Sequence, residues 1–108
     1  MEIKTIRQKV RNGDYLIRSH VVSHAIKEGF TRQDIVAAIL NKQIIETYPN
    51  DKRVLVSGYT DQIKGVKLYI HIVCEYADPV YIEFITAYIP DESLWERPDF
   101  RQRKRKRK

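Results

Sequence analysis

The sequence predicts an α+β domain: N-terminal helices packed on an antiparallel sheet of about four strands, followed by a basic C-terminal tail. Three observations carry this. Before Gln43 the apolar residues recur at helical spacing, and after it they alternate with period two. Breakers at Pro49-Asn50-Asp51, at Asp61 to Gly65 and at Ala77-Asp78-Pro79 cut the second half into consecutive strands, the pattern of a meander. The last eight residues are almost purely basic.

Taken in order, Glu2 to Arg11 places Ile3, Ile6 and Val10 on one thin stripe, and Asn12-Gly13 stops that helix. Asp14 to Arg18 is a short extended piece. Ser19 caps a second helix with Val21, Val22, Ala25 and Ile26 on its apolar side, ended by Gly29. Thr31 and Asp34 form a capping-box-like pair for a third helix, which buries Ile35, Val36, Ile39 and Leu40. Strands are then expected over Ile44 to Tyr48, Arg53 to Thr60 and Lys67 to Tyr76. The last runs from Val80 to Ile89, with Val80, Ile82, Phe84, Thr86 and Tyr88 on one face. Being apolar on both faces, it reads as an inner strand, and Pro90 stops its ladder.

At 108 residues, 43% hydrophobic and 31% charged, the chain fits one soluble domain over residues 1–100 and a tail over 101–108. No apolar run reaches membrane-helix length and the N-terminus lacks a signal-peptide core, so the expectation is cytoplasmic with no membrane. The lone Cys74 excludes an internal disulfide and reads as a buried small hydrophobe. Net charge is +6, yet residues 101–108 hold seven Lys or Arg and no acid. The body is therefore nearly neutral. A basic tail attracts RNA, ribosomes or acidic partners without choosing among them; the plainer reading is a solvated end.

His20 and His24 stand one helical turn apart, but a metal needs a third committed ligand, so neither metal nor cofactor is expected. His20, His71 and Tyr88 come from separate elements. Converging with Arg101, they would supply the base, the acid and the cation that RNA phosphodiester cleavage requires. The bland alternative makes His71 a hydrogen-bonded strand residue and Tyr88 a sheet-edge aromatic. Trp95 and Phe100 could stack a base, with Arg103, Lys104 and Arg105 on phosphates, or could pin the terminal segment to the body.

Several stretches form a recognisable set. They are Arg18-Ser19-His20, Asp34-Ile35 to Ile39, Ile44-Ile45-Glu46-Thr47-Tyr48-Pro49, Gly58-Tyr59-Thr60 and the strand holding Leu68 and His71. The set closes with Thr86-Ala87-Tyr88-Ile89-Pro90-Asp91, Trp95 and Asp99-Phe100-Arg101-Gln102-Arg103-Lys104. Over about Tyr15 to Lys104 the chain thus resembles the DUF4258 family, a bacterial family grouped with the RelE/ParE-type toxin superfamily. It departs from the pattern in the offset of His71 from Leu68 and in the additional His24. The resemblance implies a RelE/ParE-like fold, an antitoxin partner that is in some cases of zinc-finger type, and an mRNA endoribonuclease activity. The competing expectations are a non-catalytic module that binds RNA, ribosome or protein, and a gyrase-type inhibitor.

Overall fold

The computed structural model describes residues 1–41, 43–63 and 65–105. Along the chain run α1 (Ile3–Arg11), β1 (Tyr15–Ile17), α2 (Ser19–Glu28), α3 (Arg32–Asn41), β2 (Gln43–Tyr48) and a 3-10 turn (Pro49–Asp51). Then come β3 (Arg53–Ile63), β4 (Val66–Glu75) and β5 (Ile82–Tyr88). The mixed α+β architecture is as expected. Of the turn expected around Asp61 to Gly65, Lys64 lies outside the described residues.

The strands make one five-stranded sheet in the order β1-β5-β4-β3-β2. From β2 to β5 it is the expected antiparallel meander. The far edge is a correction. β1, expected only as an extended piece, pairs parallel with β5, Tyr15 opposite Ile82 and Ile17 opposite Phe84. Three residues carry too little periodicity to announce a strand, and the partner lies far along the chain. This pairing also accounts for the apolar character of β5, which lies between two neighbours.

Local chemistry sets the helix ends. Thr31 Oγ1 accepts from the Asp34 amide at 3.2 Å, and Asp34 Oδ2 accepts from the Thr31 amide at 2.8 Å, so the capping box closes reciprocally. Ser19 is instead the first residue of α2; Arg18 occupies the cap position and no side chain caps the end. Gly29 takes a left-handed φ of 94° and lets the Phe30 amide bond back to the Ala25 carbonyl.

The core lies between the helices and one sheet face. It joins Ile6, Val21, Ala25, Phe30, Ile35 and Ile39 to Val54, Val56, Ile70, Ile72, Ile82 and Phe84. α3 crosses β3 closely at Gly58, where a β-carbon would run into the Ala38 backbone carbonyl. Cys74 is fully buried here, and burial pushes its thiol pKa up.

Candidate functional site

The opposite sheet face carries Glu46, Tyr48, His71 and Tyr88, and two irregularities in the strands aim them. In β2, Ile44 pairs with Val56 but Glu46 pairs with Leu55, so Ile45 is an extra residue. Ile44 packs on the core; strict alternation would send Glu46 there too. The bulge turns Glu46, and Tyr48 two residues on, to the other face. β5 repeats the device. Cys74 pairs with Phe84 and Val73 with Thr86, which leaves Ile85 extra. Ile82, Phe84 and Ala87 therefore face the core, while Tyr88 sits opposite His71 rather than beside Ile82 and Phe84 as expected.

The chain beyond β5 returns across this face. The Leu94 and Trp95 amides bond to the Asp91 carbonyl at 3.0 Å each. Trp95 then bridges antiparallel to Arg103, with Glu96 N donating to Gln102 O at 2.7 Å and Lys104 N to Leu94 O at 2.8 Å. Residues 101–104, expected as the start of the tail, thus belong to a docked hairpin-like segment. Lys106 to Lys108 lie outside the described residues.

His71 lies under this segment with no exposed surface. Trp95 meets its ring edge to face at 4.5 Å, and the Tyr88 ring lies at 5.3 Å. Its Nε2 is 2.9 Å from the Phe100 carbonyl oxygen, which can only accept, so Nε2 carries the proton. Nδ1 is then the acceptor for the Tyr88 hydroxyl at 3.3 Å. Burial lowers the His71 pKa to about 4 against the opposing pull of the Phe100 bond. The imidazole is neutral at pH 7. Phe100 itself holds a φ of 56°, uncommon for a side chain of this size, with its ring against Tyr69.

Beside this pair lies a second cluster. Arg103 donates from Nε and Nη2 to the two Glu46 oxygens at 2.7 and 3.0 Å. Its guanidinium stacks 4.6 Å from the centre of the Trp95 ring. The Tyr48 hydroxyl donates to Glu46 as well. The Arg103 bonds hold the Glu46 carboxyl below the usual range. Burial raises the pKa of Tyr48, with Glu46 adding to it. Burial also raises Tyr88, on which the charges of Arg103 and Glu46 act in opposite directions. Among the described residues no buried side-chain polar atom lacks a partner.

The expected site residues are thus divided. His71 and Tyr88 meet, but His71 is sealed from solvent and cannot itself touch a substrate. His20 does not join them. It is exposed on α2, where its Nε2 stands 3.3 Å from the Ile85 carbonyl at the edge of β5, beyond the end of β1. A shallow cleft there is lined by His20, His24, Thr86 and their neighbours. Arg101 pairs with Asp99 at 2.6 Å. Lys104 and Arg105 are exposed, whereas Trp95 is buried and Arg103 is engaged by Glu46. Glu46 and Tyr48 stand in this cluster although neither was expected there. Their signal was the Ile44 to Pro49 stretch, which sets a carboxylate and a phenol two apart on one strand.

Among the described residues no group of three or more His, Cys, Asp or Glu side chains is placed to hold a metal. No helix among them is long and apolar enough to cross a membrane. No match to the chain was found among curated proteins or solved structures. The family model described as a domain of unknown function, DUF4258, matches residues 17–89. That span runs from the end of β1 to the end of β5 and takes in Glu46, Tyr48, His71 and Tyr88, and the chain belongs to the DUF4258 family.

Proposed function

We propose that the protein is the toxin of a type II toxin–antitoxin pair, RelE/ParE-like in fold, and that it cleaves mRNA in the cytoplasm. The observation that carries this reading is the gathering of Glu46, Tyr48, Tyr88 and Arg103 on one sheet face, beside the exposed Lys104 and Arg105. Kinship of fold does not transfer a reaction, so the reaction rests on these groups.

A phosphodiester arriving at Arg103 competes with Glu46 for the guanidinium. Losing that partner raises the proton affinity of the carboxylate, which then takes the proton of the 2′-hydroxyl. The 2′-oxygen bonds to phosphorus, the bond from phosphorus to the 5′-oxygen breaks, and a 2′,3′-cyclic phosphate is left. The departing 5′-oxygen takes a proton from Tyr48 or Tyr88, both neutral phenols at pH 7. Arg103 holds the charge that develops on the phosphate. His71 is a positioning residue: it fixes the Tyr88 hydroxyl and the Phe100 carbonyl. The antitoxin, in some relatives of zinc-finger type, and RNA or the ribosome are the partners of this reading.

A second reading is a non-catalytic RNA-, ribosome- or protein-binding module, gyrase inhibition included. The neutralised Arg103–Glu46 pair and the nearly neutral body favour it. Induced expression in a bacterial host, with growth and mRNA integrity followed together, separates the two. Arrest with cleaved mRNA supports the nuclease. Arrest with intact mRNA supports the binding module, and unimpaired growth removes the toxin reading.

A further inference from the structure

The cleft between β2 and the returning C-terminal segment takes no part in the chemistry above. It measures about 320 Å³ and is lined by Gln43, Ile44, Ile45, Arg101 and Gln102. Gln43 and Gln102 each bring a primary amide, a donor and an acceptor side by side. Ile44 and Ile45 are half-buried along its floor, and the lining as a whole is mainly polar. β2 ends the sheet, so its outward backbone N–H and C=O groups add further donors and acceptors. Among the described residues the one cation in the lining, Arg101, is offset by Asp99. Such a lining suits a flat, neutral, hydrogen-bonding ring better than a phosphate group.

Position gives the cleft its meaning. Ile45 precedes Glu46 on one wall and Gln102 precedes Arg103 on the other, and the Glu46–Arg103 pair ties the walls together. A nucleotide whose phosphate lay at Arg103 would carry its neighbouring base to this cleft.

The geometry points to a nucleobase subsite, in which the cleft takes the base flanking the scissile phosphate of single-stranded RNA and the amides of Gln43 and Gln102 read its hydrogen-bonding edge. This rests on the RNA-cleavage reading and adds to it a source of sequence selectivity. Single-stranded RNA exposes its base edges to such groups. Among the described residues no aromatic side chain lines the cleft, so discrimination comes from hydrogen bonds rather than stacking.

The test is a titration of the whole protein with four uncleavable 2′-O-methyl tetranucleotides, one for each base, followed by the NMR signals of side-chain amides and aromatic rings. The Gln43 and Gln102 amides are expected to shift, with one base preferred by about tenfold in Kd. The double variant Gln43→Ala/Gln102→Ala should erase that preference and leave the weaker tetranucleotides nearly unaffected. Shifts at Tyr48 and Trp95 with both amides unmoved would overturn the subsite and leave RNA binding standing. Should no tetranucleotide move any signal, RNA recognition itself fails and the subsite with it.

Discussion

The helix-covered face of the sheet and the face beneath the C-terminal segment are built from the same strands and reach opposite chemistry. On the first, Val54, Val56, Ile70 and Ile72 alternate regularly and join the helices in one apolar cluster. On the second, His71 with Tyr88 and Glu46 with Tyr48 and Arg103 form two hydrogen-bonded groups, bridged by Trp95, whose ring meets both His71 and Arg103. Regular alternation makes the first face. Two bulges make the second, because strict alternation through Ile45 and Ile85 would turn Glu46, Tyr48 and Tyr88 toward the core. The difference teaches that this fold gathers its polar cluster by breaking its own period at two positions.

The contrast can be stressed from either side. The largest effect is expected at the close crossing on the apolar face. Gly58→Ala forces a methyl against the Ala38 backbone, which α3 cannot yield without leaving the sheet, and should cost about 3 kcal/mol or more. Denaturant unfolding measures it. Trp95→Ala acts on the other face and should cost about 3 kcal/mol, with the loss local: residues beyond Pro90 become open to limited proteolysis while the body stays folded.

Acid separates the faces more finely. The folded pKa of His71 is about 4, below its ordinary value near 6.5, so between these pH values the unfolded chain holds a proton that the folded chain does not. The stability contributed by neutral His71 is full above pH 6.5 and is lost as pH falls toward 4. From pH 7 to pH 5 this amounts to about 2 kcal/mol. Trp95→Ala should lose clearly less over the same interval, since water then reaches the imidazole. Equal losses would mean that Trp95 does not seal His71.

Much of the fold was legible because its signals are local. The capping pair of Thr31 and Asp34, the Gly29 stop and the change of period at Gln43 each lie within a few residues. The parallel pairing of β1 was not legible, since Tyr15 to Ile17 carries no pattern and its partner is Ile82 to Phe84. The site was half legible. His71 and Tyr88 were visible as residue types, but which way Tyr88 points depends on a bulge that only the pairing with β4 defines. His20 had the same appearance in sequence and lies elsewhere, bonded to the Ile85 carbonyl. Glu46 read as an ordinary polar strand position until the bulge at Ile45 and the return of Arg103 gave it its partner.

The claim that the bulge-built face carries the reaction is tested most directly by comparing Glu46→Gln, Tyr88→Phe and His20→Ala in cleavage and binding of the same RNA. Both Glu46 and Arg103 are partly exposed, so Glu46→Gln should cost under about 1 kcal/mol of stability and leave a folded protein to assay. The account predicts that Glu46→Gln slows cleavage by about a hundredfold with RNA affinity nearly kept. Tyr88→Phe should slow it too, and His20→Ala should cleave at the parent rate. A folded Glu46→Gln protein that cleaves as fast as the parent, or a His20→Ala protein that has lost activity, would contradict it and move the reaction to the α2 edge of the sheet.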